Sequence, residues 1–352
     1  MYATDNTTTL HPLGMALCAL LCLLVLVLPR RHAPWPLLAM VCLMTMGQRV
    51  VLLDLDFTLM RILLLCALLR VLLRGEWHDV PRQPLDRALT LWLLASVVAY
   101  TLLWQTGEAL VNRLGLAYDA LAAYWVGRAL LRDMDDLRRV ASHLALGVAV
   151  LAVGMVYEKH SGSNPFAVFG GVPPETLVRE GVLRAQGPFA HPILAGAFGS
   201  AMLPLMTGLL LARGPSASRL VPLLGLIGLA GAATMVVAAA SSGPVLAAAA
   251  GLVGLLLWPL RRHMRALRWT LLLALIGLQL AMSAPVWFLM SRVGVFGGST
   301  GYFRAVLIDH AVAHLPQWWL VGVRSTADWG YYTFDVTNQY VLVGVQGGLL
   351  SL

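Results

Sequence analysis

Leu220-Val-Pro-Leu-Leu-Gly-Leu-Ile-Gly-Leu-Ala-Gly-Ala-Ala-Thr-Met-Val-Val-Ala-Ala-Ala240 runs for twenty-one residues without one charged side chain. About 20 apolar residues in helical form cross the hydrocarbon core of a bilayer, because a helix satisfies its own backbone N–H and C=O groups. This stretch therefore predicts the fold class: all-α, a polytopic membrane bundle. Worked outward, the same rule predicts spans at Leu13–Leu28, Leu37–Leu53, Phe57–Leu73, Leu85–Trp104, Ala109–Leu131, Val140–Val156, Phe189–Leu211, Pro244–Leu260 and Trp269–Met290. A further span begins near Tyr340 and is incomplete at Leu352, giving about 11 in a single integral membrane domain over 1–352.

Composition agrees. The chain is 59% hydrophobic and 12% charged, with mean hydropathy +0.76, whereas soluble domains carry about 25% charged residues. The net charge of +8 is no sign of nucleic acid, because the basic residues lie in short connections between apolar runs. Arg30, Arg31, Arg74, Arg82, Arg87, Arg132, Arg138, Arg139, Arg213, Arg219, Arg261, Arg262, Arg265 and Arg268 fall on one side. The other side has only Lys159, Arg179, Arg184, Arg292, Arg304 and Arg324. The positive-inside bias then puts the N-terminus and two long connections, 157–188 and 291–338, outside the cytoplasm. No basic residue precedes the first apolar run, which argues for a retained span rather than a cleaved signal. Cys18, Cys22, Cys42 and Cys66 all sit inside apolar runs, so neither a disulfide nor a zinc site is expected.

The inside connections are too short for a nucleotide-binding domain and carry no Gly-rich phosphate loop. Long loops are usually functional or disordered. Energy for any chemistry on the outer side must come from an ion gradient or an activated, membrane-borne substrate. No internal repeat is evident, which disfavours an inverted-repeat transporter.

The first long connection ends in Val178-Arg-Glu-Gly-Val-Leu-Arg-Ala-Gln-Gly-Pro-Phe-Ala-His-Pro192. Arg179 and Arg184 suit a phosphate-bearing ligand, since a guanidinium stays charged and grips two oxygens at once; the bland alternative is snorkelling. His191 is a donor of a hydrogen bond or proton, or a capping residue. In the second connection, 301–314 reads as an amphipathic helix ended by Pro316, with His310 and His314 on one face. A metal needs a third ligand, and Asp309 lies elsewhere on the helix. Arg304 has no local partner there. Trp318, Trp319, Trp329, Tyr331 and Tyr332 read as an interfacial belt or as sugar-stacking faces. Asp328 and Asp335 are candidate bases that spacing does not separate. Arg49, Asp54, Asp56, Arg61, Arg113 and Asp119 are intramembrane charges, read as structural pairs or, for Asp119, as part of an ion path.

Arg184-Ala-Gln-Gly-Pro-Phe-Ala-His-Pro-Ile-Leu-Ala-Gly196 and Ser241-Ser-Gly-Pro244 resemble the O-antigen ligase and O-antigen polymerase superfamily. So do Pro316-Gln-Trp-Trp-Leu-Val-Gly322, Asp335-Val-Thr-Asn-Gln-Tyr340 and Gly347-Gly-Leu-Leu350. The resemblance covers the chain from about Arg61 onward. It implies a bacterial inner-membrane helical bundle that transfers an undecaprenyl-diphosphate-linked glycan to a hydroxyl of an acceptor glycan or lipid A-core. Transfer takes place at the periplasmic face, with membrane lipid and without metal, nucleotide or other cofactor. It further implies that Arg184, Arg304 and Arg179 engage the diphosphate. Where ligases of this family carry a histidine before Asn338, this chain has Thr337, which is no base at neutral pH. The base is then His310, His314 or Asp335, or the chain is of the polymerase or exopolysaccharide kind. The sequence reading thus makes Arg184, Arg304, His310, His314 and Asp335 catalytic, and Arg179, His191, Arg324, Asn338 and Tyr340 substrate-binding. The alternatives are a transporter or flippase of an anionic or lipid-linked glycan, and a non-catalytic assembly subunit.

Overall fold

The computed structural model describes residues 9–52, 55–212, 220–292, 300–330 and 333–352; Asp54, Arg213, Arg219, Tyr331 and Tyr332 lie outside them. The described chain is mostly helical. In order come α1 (Pro12–Val27), α2 (Pro34–Leu43), hairpin β1 (Arg49–Leu52)–β2 (Leu55–Thr58), α3 (Leu59–Leu73), α4 (Pro84–Trp104), α5 (Gly107–Leu130) and α6 (Met134–Ser161). A second hairpin, β3 (Leu177–Arg179)–β4 (Val182–Arg184), leads into α7 (Pro192–Leu210), α8 (Leu220–Ala238) and α9 (Ser242–Leu256). Then follow α10 (Met264–Ala281), α11 (Thr300–Ala313), α12 (Leu315–Trp318) and α13 (Gln339–Gly347). Among the described residues, five helices are long and apolar enough to cross a membrane: α4, α6, α7, α8 and the helical stretch Trp258–Ala281. The apolar helices α1 and α9 are shorter.

The chain divides into two compact units. Unit 1 holds Met1–Val80 and Ala122–Trp258; unit 2 holds Pro81–Leu121 and Pro259–Leu352. Within unit 1, α6, α7, α8 and α9 share a core around Val148, Leu151, Met155, Met206 and Met235. Small residues let these backbones approach closely. A Cβ on Gly196 would stand 2.7 Å from Pro244 Cγ and 2.8 Å from Ala239 Cβ, so α7 and the start of α9 meet at a point only glycine fits. A second core in the same unit joins α1, α2, α3 and the end of α5 around Leu21, Val25, Leu63 and Ala67.

Helix ends are tied by charge. Arg70, 1% exposed, donates to the carbonyls of Val25 and Leu28 at 2.6 Å and pairs with Glu76 at 2.9 Å. It thereby satisfies orphan carbonyls at the end of α1. Asp133 caps α6, and buried Asp136 pairs with Arg30 at 2.6 Å and Arg139 at 2.8 Å.

Some expected spans have other bounds. The apolar run Leu37–Leu53 leaves the helix at Met44, and Arg49–Thr58 forms a hairpin in which Val50 faces Phe57. Its strands include β-branched Val50, Val51 and Thr58 and aromatic Phe57, which suit a ribbon better than a helix. Arg49 pairs with Asp56 at 3.5 Å. In unit 2, Arg113 meets Gln346 Oε1 at 2.7 Å and lies 3.9 Å over the Tyr100 ring rather than against a carboxylate. Unit 2 is further knit by Trp92 Nε1 donating to Ser351 O at 2.7 Å and by a small core of Ala311, Trp318, Trp329 and Val345.

Candidate anion site

The β3–β4 hairpin turns on Glu180 and Gly181, with φ of 54° and 75°. Two consecutive left-handed residues make the tight turn that matches strand twist, and glycine takes the second place without strain. The register sets Leu177 opposite Arg184 and Arg179 opposite Val182. Side chains alternate along a strand, so Arg179 and Arg184 share one face of the ribbon. Arg179 and Glu180 form a loose 3.7 Å pair, with both side chains more than half exposed; such pairs contribute little.

Beyond β4 the chain dives inward, and Arg184 through Phe189 are all buried. Glu158, 0% exposed, holds this turn. Its two carboxylate oxygens accept the backbone N–H groups of Gln186 at 3.1 Å and Gly187 at 2.7 Å. Asn164 Nδ2 donates to Gly187 O at 2.8 Å, and Met46 N donates to Pro188 O at 3.1 Å. From the C-terminal end of α8, Ala238 O accepts Ala185 N at 3.1 Å. Lys159 Nζ donates to Leu183 O at 2.8 Å. Buried backbone groups must be paired, and here the pairing fixes one conformation of the arginine-bearing turn.

Arg184 is 5% exposed. Its Nε donates to Ala239 O at 3.4 Å, while its terminal nitrogens have no protein acceptor among the described residues and it forms no ion pair. Burial, and after it the like charge of Arg179, pulls its pKa below the ordinary value, with Glu180 opposing. A guanidinium stays protonated regardless, so Arg184 is a largely buried side chain whose charged tip is open to an anion at the surface. His191 caps α7: its Nδ1 accepts Ile193 N–H at 3.1 Å. Burial first, then Arg184 and Arg179, hold its pKa below the ordinary value. The neutral ring therefore carries its proton on Nε2 and offers it as a hydrogen-bond donor. Arg179, Arg184 and His191 thus form one electropositive cluster.

The segments 184–196 and 241–244 come together in this unit. Gly196 faces Pro244, and Ser200 Oγ donates to Pro244 O at 2.6 Å.

Unit 2 carries the remaining candidates. Arg304, half-buried on α11, has no hydrogen bond or ion pair among the described residues. His314 Nδ1 lies 2.8 Å from His310 O. A carbonyl only accepts, so Nδ1 carries a proton there. The ring stacks on Trp329 at 5.0 Å and 8°, and Trp329 Nε1 is anchored on Gln317 Oε1 at 2.9 Å. His310 abuts Gly330. Asp309 accepts from Trp287 Nε1 at 3.2 Å. Arg324 donates to Leu103 O at 2.9 Å and lies 5.9 Å over Trp104, a packing role. Asn338 Oδ1 caps α13 through Tyr340 N and Val341 N. Asp335 and Tyr340 are exposed. Pro316 begins α12 rather than only ending α11, since the first turn of a helix has no use for the missing N–H. Among the described residues, no group of three His, Cys, Asp or Glu is placed to hold a metal ion.

Glu158 and Asn164 escaped the sequence reading. The available signal was a carboxylate in the last turn of an apolar helix, where the helix dipole disfavours it and some other partner must hold it. The chain matches no family model, no curated protein and no solved structure.

Proposed function

We propose that the protein transfers a lipid-linked glycan at the extracytoplasmic face of a bacterial inner membrane, in the manner of the O-antigen ligases and polymerases that its motifs resemble. The carrying observation is Arg184, held by a largely buried stem while its terminal nitrogens lack a protein acceptor among the described residues. A diphosphate matches it in charge and in fork geometry. Arg179 and the His191 Nε2–H add donors around the same anion. About 11 spans, with both long connections outside, is the topology this reading takes.

In the reaction, an acceptor hydroxyl attacks the anomeric carbon. A new C–O bond forms there as the bond to the lipid diphosphate breaks and its electron pair leaves with the phosphate. Arg184 and Arg179 neutralise charge that builds on that leaving group. The hydroxyl proton passes to a base.

Purified protein given an undecaprenyl-diphosphate-linked oligosaccharide and an acceptor glycan should release undecaprenyl diphosphate and extend the acceptor. Replacing Arg184 by Gln should suppress both products together. Movement of the lipid-linked glycan across a vesicle membrane without bond cleavage would make the protein a transporter and refute the assignment.

A further inference from the structure

A groove of about 440 Å³ runs along the flank of unit 1 between the last two turns of α6 and of α8. Its walls are Val156 and Val237 with Ala233 and Ala238, and Lys159 and His160 stand in it. Its volume falls in the range of ligand pockets, about 300–1,000 Å³. We infer that this groove seats the head-proximal part of the lipid chain whose diphosphate Arg184 binds; the inference rests on the function proposed above and adds where the lipid lies.

Three observations carry it. First, the groove adjoins the anion site through neighbouring carbonyls. Ala238, in the groove wall, accepts Ala185 N at 3.1 Å and Lys159 Nζ at 3.5 Å, and the next carbonyl, Ala239 O, accepts Arg184 Nε at 3.4 Å. Second, its chemistry is that of an amphiphile. The walls are aliphatic, and the ammonium of Lys159 keeps a third N–H beyond the two spent on Leu183 O and Ala238 O. Third, it lies on helices long and apolar enough to cross a membrane, so a chain reaches it sideways from the bilayer while the phosphate stays at the arginine end.

The test fills the groove from positions already exposed, so that folding is not at stake. Ala233→Trp and Val237→Trp do this, and Leu226→Trp, at another exposed position of α8, is the control. The full chain in detergent is titrated with a polyprenyl diphosphate and, separately, with inorganic pyrophosphate. Excluding about two methylenes from the groove weakens polyprenyl diphosphate binding about tenfold. Pyrophosphate binding and the Leu226→Trp control stay unchanged. Unchanged polyprenyl binding in both groove variants would overturn the inference, and so would equal competition by phosphatidylglycerol, which would make the groove a bulk-lipid seat. Arg184→Gln separates the two levels. Loss of pyrophosphate binding in that variant keeps the anion site standing even if the groove fails, and its retention refutes the anion site itself.

Discussion

Replacing Glu158 by Gln changes no volume and removes one acceptor from beneath the arginine-bearing turn. The carboxylate accepts Gln186 N at 3.1 Å and Gly187 N at 2.7 Å from a fully buried position. A glutamine oxygen keeps one of these bonds, while its NH₂ is set against the other N–H, donor facing donor. A hydrogen bond to a charged group is worth about 1.5–3 kcal/mol and a buried unpaired donor costs about 1–3 kcal/mol. With partial relaxation, the turn should loosen by about 2–3 kcal/mol, equivalent to about thirty- to hundred-and-fifty-fold faster local opening. Hydrogen exchange followed by mass spectrometry reads this directly in peptides covering 184–189. The change should be confined there, with α1 peptides unaltered, because α1 belongs to the separate core around Leu21 and Leu63. Equal acceleration in α1, or none at 184–189, would show that Glu158 is not a local clamp. Pyrophosphate affinity should fall in parallel, since Arg184 is two residues from the loosened amide.

Arg184→Lys keeps the charge but loses the two-oxygen grip, and isothermal titration should show pyrophosphate binding about tenfold weaker, against about a hundredfold for Arg184→Gln. His191 is neutral in the fold because its pKa is held below the usual 6.5. The unfolded chain therefore takes up the proton first, and stability should decline as pH falls below about 6.5, levelling off once the folded-state value is passed. His191→Asn keeps the cap acceptor and should remove that pH dependence in thermal melts, whereas His191→Ala should also lose about 1 kcal/mol of capping. Gly196→Val forces α7 away from Pro244 and should cost about 1–3 kcal/mol in denaturant unfolding.

Apolar runs foretold α4 and α8 within a few residues, since transfer energy dominates where no charge interrupts. The same reasoning shortened α6, predicted at Val140–Val156 and observed over Met134–Ser161. Hydropathy sees charges at its ends as exits from the membrane, whereas Asp133 and Asp136 extend the helix by capping and pairing. It also ran a span through Arg49, where β-branched Val50, Val51 and Thr58 sit in a ribbon. Arg179, Arg184 and His191 were visible because Gly181, Gly187, Pro188 and Pro192 mark a turn that carries them between apolar runs. Glu158 was not, because its partners are backbone amides, which no side-chain pattern reveals. Asn338 caps α13 and Arg324 bonds Leu103 O, contacts that the sequence did not show. Polar side chains near helix ends look alike in sequence until their local partners are known.

Among the supports of the turn that carries Arg184, three come from different helices: Met46 just past α2, Glu158 on α6, and Ala238 at the end of α8. Three points fix a plane. If thinning or curvature of the bilayer leans one of these helices, the plate rocks about the other two anchors, and the guanidinium swivels instead of being carried away. Bilayer thickness would then tune the angle at which an anion is received, and lipids of different chain length would act as a dial on affinity without touching the ligand.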